Sequence, residues 1–233
     1  MSTKSALLPH QRMRVAYTLT LVGGYLDAYT YFERGGVFAN AQTGNIVKLG
    51  IALAHRERET YLQFLLPIFF FALGLFTALT IQDALEDRGK RLKRRAVLAT
   101  EMIGLAIVGF IPEEPQFHAI ANCIVSFVAA MQFEAFSTFR GDAIATTMST
   151  GNLKKFVDAL YAGTVRHDPQ MLAQSAKFLS VIFVFLLGAL LGTLVCDVLN
   201  KSAVIPPIVC LGVAIIFITL LRRRSANPKT ASE

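Results

Sequence analysis

The sequence predicts an all-α integral membrane protein with six transmembrane helices plus two re-entrant or broken helices, arranged as two inverted-topology repeats. Three observations predict it: six long apolar runs, a polar Thr-Gly-Asn segment that occurs twice among them, and an uneven distribution of Lys and Arg between them.

The apolar runs are 15–32, 62–81, 96–111, 119–139, 178–198 and 203–221. About 20 such residues cross a hydrocarbon core roughly 30 Å thick. Hydrophobic residues make up 54% of the chain and the mean hydropathy is +0.50, a balance rare in soluble domains. Trp is absent, so Tyr and Phe have to serve at the membrane interfaces. The net charge of +7 does not point to nucleic acid, because the basic residues gather between apolar runs as they do in cytoplasmic loops. Cys123, Cys196 and Cys210 lie inside apolar runs with neither metal-ligand nor disulfide-loop spacing. The four histidines are scattered, so no metal or other cofactor is expected.

Taken in order, residues 1–14 form a polar cytoplasmic arm with Lys4, Arg12 and Arg14. The first membrane repeat covers 15–111. Its first span is interrupted by Gly23-Gly24 and carries Asp27. Ala39-Asn40-Ala41 imitates a signal-peptidase site, but the preceding run is too long for a signal core and holds Asp27, so the span is retained. Gly35 to Leu53 combines four glycines with Asn40, Gln42, Thr43 and Asn45, a poor composition for a spanning helix. It fits an extended lead-in followed by a helix that starts within the buried region. The second membrane repeat covers 117–221, and 222–233 is a basic cytoplasmic tail.

The repeat is read from the chain slid on itself. Thr43-Gly44-Asn45 matches Thr150-Gly151-Asn152 at an offset of 107 residues. At that offset Asp27 meets Glu134, Phe32 meets Phe139, and Lys48 meets Lys155. Farther on, Gly74 meets Gly188 and Asp83 meets Asp197 at an offset of 114. If the two Thr-Gly-Asn segments do not cross the membrane, each half has three spans, and the halves are inverted. Seventeen assigned Lys and Arg residues then fall on the side of the termini and five on the other. Letting both segments cross nearly abolishes that bias, so both termini are expected in the cytoplasm.

The candidate site follows from this geometry. Re-entrant backbone at membrane depth is tolerated only inside protein or along a wet cavity. Asp27 and Glu134 are intramembrane carboxylates that have to face the bundle, as proton, cation or solute contacts or as hydrogen-bond partners of the re-entrant backbone. Thr43, Asn45, Thr150 and Asn152 form a polar constriction or cap the short helices. Gly44 and Gly151 allow close backbone approach. The Thr43 and Thr150 hydroxyls are placed as N-caps. Asn40 and Gln42, matched by Thr147 and Ser149, extend the polar lining. Lys48 and Lys155 snorkel or pair with carboxylates. Gly188 and Gly192 are spaced as a helix-packing signal. No nucleophile, base and acid come together as in a hydrolase, so no enzyme is indicated.

The run Gly23-Gly24-Tyr25-Leu26-Asp27-Ala28, followed by Gly35-Gly36-Val37-Phe38 and Thr43-Gly44-Asn45, resembles the YoaK family of small bacterial inner-membrane proteins. The likeness runs from about 15 to 221, with Glu134 and Arg140-Gly141 departing from the first half's pattern. It implies a multi-pass inner-membrane protein of about six spans and supplies no substrate. The residues themselves suggest a transporter or channel for a small polar solute, proton-coupled through Asp27 and Glu134. The alternative is a membrane scaffold or assembly partner whose polar groups are structural. The expected partners are the lipid bilayer and a small polar solute or proton, and a homo-oligomer suits so small a bundle.

Overall fold

Each long apolar run becomes a helix, because in lipid a chain must satisfy its own backbone groups. A computed structural model describes residues 9–84, 89–139 and 142–226. Much of the N-terminal arm, part of the basic loop before the third span, Arg140-Gly141 and the end of the tail lie outside the described residues. Six helices have 21 residues or more: α1 (Pro9–Glu33), α3 (Arg58–Ala84), α4 (Lys90–Phe110), α5 (Pro115–Ala135), α7 (Pro169–Leu199) and α8 (Ile205–Ala226). Two are shorter, α2 (Gln42–Ala54) with 13 residues and α6 (Thr150–Val165) with 16. These two start at the Thr-Gly-Asn segments. A hairpin of two-residue strands, β1 (Thr138–Phe139) and β2 (Asp142–Ala143), precedes α6 and had no sequence signal.

Among the described residues three stretches are long and apolar enough to cross a membrane: Thr60–Ala84, Pro115–Ala135 and Pro169–Thr219. The last holds two helices, α7 and α8, because Asn200 takes a positive φ of 48° and the chain turns through a short 3-10 segment. Helices α1 and α4 are long enough but less apolar, α1 through its Gly, Thr and Tyr residues and Asp27, α4 through the basic residues of its first two turns. Phe69, Phe76, Phe110, Phe183 and Leu186 stand exposed on the outer surface. Such an apolar exterior suits lipid rather than water. The chain is thus an all-helical protein of membrane type.

The helices pack in matched pairs. Helix α1 lies against α7 and α3 against α5; α2 rests on α3 and α6 on α7; α4 meets α5 and α1 meets α8. Exchanging the first four helices for the last four maps each contact onto another. Gly188 explains one crossing: a Cβ there would lie 2.2 Å from the Leu21 carbonyl oxygen of α1. Gly74 explains its counterpart, where a Cβ would lie 2.2 Å from the Phe127 carbonyl oxygen of α5. Contact this close needs a residue without a side chain. Gly23-Gly24 does not interrupt the first span, contrary to expectation; α1 continues through both, and their bareness admits neighbours.

Polar bonds gather the helix ends at two poles. At one, Arg34 is completely buried and donates to the carbonyls of Val108, Ile111 and Pro112 and to the Tyr29 hydroxyl. Its positive charge complements the carbonyl-rich C-terminus of α4. Asn122 Nδ2 donates to the Arg34 carbonyl over 2.7 Å, and the Tyr25 hydroxyl donates to the Ala203 carbonyl over 2.6 Å. At the other pole Arg94 donates to the carbonyls of Ala135 and Thr138, and Tyr17 bonds Ser180. The loop between α1 and α2 starts from the first pole and the hairpin before α6 from the second.

Gly188→Val is expected to lower the thermal midpoint of detergent-purified protein, by the equivalent of about 1–3 kcal/mol for an overpacked contact. Gly50→Ala, with open space around Gly50, is expected to hold or raise the midpoint, since alanine gains about 0.5–1 kcal/mol over glycine in a helix. An unchanged midpoint for Gly188→Val contradicts the close crossing.

Candidate functional site

Two extended lead-in segments run up to α2 and α6, and each buries backbone groups that no helix satisfies. Asn45 and Asn152 supply the partners. Asn45 Oδ1 accepts from the Phe38 N–H over 3.1 Å, and its Nδ2 donates to the Phe38 carbonyl over 2.6 Å. Asn152 Oδ1 accepts from the Ala145 N–H over 3.3 Å, and its Nδ2 donates to the Ala145 carbonyl over 2.7 Å. Both amides reach back seven residues and bond one residue's N–H and C=O together, as a neighbouring strand would. The asparagines of the repeated motif are therefore backbone clamps, and both are buried.

The threonines behave differently. Thr43 and Thr150 are exposed, and neither is an N-cap, contrary to the sequence reading. Helix α2 already starts at Gln42, which puts Thr43 inside the first turn, and α6 starts at Thr150 itself. Gly44 packs against the Phe38 ring, whereas Gly151 has open space around it. Gln42 serves the clamp, its Oε1 accepting from Asn45 Nδ2 over 2.9 Å.

Helix α1 holds the first lead-in from below. Asp27 Oδ1 accepts from the Asn40 N–H over 2.8 Å, and Thr30 Oγ1 accepts from the Ala39 N–H over 3.2 Å. Asn40 Nδ2 donates to the Gly23 carbonyl over 2.9 Å. The second lead-in crosses at the same residue, because a Cβ on Gly23 would lie 2.4 Å from the Thr146 carbonyl oxygen. Both segments thus converge on one turn of α1. Beside that turn lies a pocket of about 600 Å³. Asp27, Gln42, Thr43, Ser149 and Thr150 supply its polar wall, and Tyr31, Phe38, Phe71 and Phe185 its aromatic wall. Residues from both Thr-Gly-Asn segments therefore face one cavity.

The acids do not keep the symmetry. Glu134 is half-buried, its Oε1 accepts from Gln82 Nε2 over 3.2 Å, and it stands off the pocket wall. The physical reason is helix length. Transferred by the repeat offset, α1 would make α5 end at 140, but α5 stops at Ala135. Glu134 falls in its last turn, beside α3. Asn40 and Thr147, matched positions, are both buried behind the lining. Lys48 does not pair with a carboxylate; its Nζ donates to the Gly36 carbonyl and lies 4.6 Å from the centre of the Tyr31 ring. Among the described residues no three His, Cys, Asp or Glu side chains come together as a metal would require.

Sequence reasoning missed Glu101 and Gln132, each only 1% exposed. Glu101 is a lone acid within an apolar run, the same signal that singled out Asp27. A family model described as "Protein of unknown function (DUF1275)" matches residues 15–217. No curated protein and no solved structure matches the chain.

Asn45→Ala and Asn152→Ala are each expected to cost about 1–3 kcal/mol by orphaning buried backbone groups. Hydrogen–deuterium exchange should quicken at the Phe38 amide in the first variant and at the Ala145 amide in the second. Thr43→Val and Thr150→Val should leave both amides protected. Faster exchange in the threonine variants, or none in the asparagine variants, contradicts the clamp assignment.

Proposed function

The chain belongs to the DUF1275 family, and we propose that it is a membrane transporter that holds a small amphipathic organic solute between its two Thr-Gly-Asn segments. The observation that carries this reading is a pocket touched by Asp27 and by both of these segments. Its walls refine the polar solute expected from sequence. One carboxylate faces a body of aromatic rings, so a solute with a cationic or hydrogen-bond-donating head and an apolar body is favoured. The carboxylate orients the head, and the rings bind cations and apolar surface alike. Of the pocket-wall residues, Ser149 has an Oγ without a hydrogen-bond partner within the described residues.

The membrane frame we propose has six spans, two re-entrant helices and inverted halves, in a bacterial inner membrane with both termini cytoplasmic. The matched helix pairs, the approach of the two segments from opposite poles and the bias of Lys and Arg support it. In such a frame the two halves alternate around a fixed central site. A second reading, a non-transporting scaffold, is favoured by the Asn45 and Asn152 amides being spent on backbone.

Uptake into liposomes separates the two. Labelled primary amines and quaternary ammonium ions carrying apolar groups are expected to enter proteoliposomes faster than glycerol or neutral sugars. Asp27→Asn and Phe185→Ala should each reduce uptake about tenfold, the equivalent of one lost contact near 1.4 kcal/mol. Flux equal to that of empty liposomes across the panel contradicts transport of this solute class.

A further inference from the structure

Glu101 is a fully buried acid that the pocket does not use. It sits seven residues, or about 10 Å of helix, beyond Arg94 on α4. Buried Leu98 and Leu105 flank it on its own helix. Helices α5 and α8 pack against α4, with lighter contacts from the 3-10 segment Asn200–Val204 and from α3. Those elements carry buried Cys123 and half-buried His118 and Glu134 on α5, half-buried Cys210 on α8, half-buried Tyr61 and exposed Asp83 on α3, and exposed Lys201 in the 3-10 segment. None bonds to Glu101, and among the described residues no cation forms an ion pair with it. Its polar neighbour is the Gln132 side chain of α5. The amide atom that Gln132 turns toward Glu101 lies 3.0 Å from Oε2 and 3.2 Å from Oε1. The other amide atom lies 3.4 Å from the Thr146 hydroxyl.

A primary amide has one donor end and one acceptor end, and its terminal torsion has two broad, nearly equivalent settings. Each setting completes the bonds for one charge state of Glu101. With Glu101 ionised, Gln132 Nε2 donates to the carboxylate and Gln132 Oε1 accepts from the Thr146 hydroxyl. With Glu101 protonated, its O–H donates to Gln132 Oε1 and Gln132 Nε2 donates to Thr146 Oγ1. Thr146 is buried and its carbonyl presses on Gly23, and the chain runs directly on to Met148, Ser149 and Thr150 in the pocket wall.

We propose that Glu101 is a proton-binding site whose occupancy turns the Gln132 amide and, through Thr146, resets the second Thr-Gly-Asn segment. A proton from water adds to a Glu101 oxygen, the charge there falls from minus one to zero, and no other bond breaks. The ligand is the proton itself, and binding it needs no solute.

The test uses full-length protein in nanodiscs. Infrared difference spectra between acid and alkaline pH are expected to show a carboxylic C=O band that Glu101→Gln removes and Asp27→Asn retains. With that band the Gln132 amide band should shift, and the shift should vanish in Gln132→Leu. Thiol labelling of Ser149→Cys, expressed as its ratio to the rate in Ser149→Cys/Glu101→Gln at each pH, should change about fivefold across the same midpoint, a usual size for coupling between sites. Thr146→Val should keep the carboxyl band and flatten that ratio, which guards against misfolding of the Glu101 variant. A band that survives Glu101→Gln, or a ratio flat with pH in the presence of the band, overturns the proposal. Absence of solute flux in liposomes leaves both readouts intact, so failure of the transport reading is distinguishable.

Discussion

Extended backbone buried inside a helical bundle has to find partners for its N–H and C=O groups, and that constraint organises this protein. Each unpartnered group at membrane depth costs several kcal/mol. Asn45 and Asn152 meet the constraint by acting as one-residue strands against Phe38 and Ala145. Asp27 and Thr30 meet it from α1 for Asn40 and Ala39. Gly23 then lets the second lead-in come within contact of α1. Without these partners neither short helix has a reason to begin where it does.

This division of labour reassigns the repeated motif. Its asparagine is internal scaffolding and its threonine faces the pocket. The carboxylate of Asp27 does both, since it accepts from the first lead-in and still contributes to the pocket wall. Chemical asymmetry then enters a fold whose helix pairs are matched. Asp27 serves the cavity, while Glu134 is taken up by Gln82. The cavity is therefore asymmetric in charge although matched helix pairs frame it.

Much of this was legible in the residues. The apolar runs located the six long helices, and the polar composition around Thr43 and Thr150 located the two short ones. Gly74 and Gly188, aligned by the repeat alone, turned out to make the same kind of crossing. Helix ends were less legible. Lys90 to Arg95 extend α4 below its apolar run, and α5 stops at Ala135 because the chain bends into the β1–β2 hairpin. Long-range pairing was not legible at all. Arg34 reads as a loop charge, yet it is buried against carbonyls more than seventy residues away. Nothing local to Glu101 announces Gln132 or Thr146, because α4, α5 and the second lead-in meet only in three dimensions.

The central claim is that the two Thr-Gly-Asn segments face one cavity, although more than one hundred residues separate them. The most direct measurement is cross-linking of the double variant Thr43→Cys/Thr150→Cys in native membranes with a short bis-maleimide. The account predicts an intramolecular cross-link that runs as a monomer and is missing from either single variant. No cross-link, or one formed only between separate chains, would contradict it.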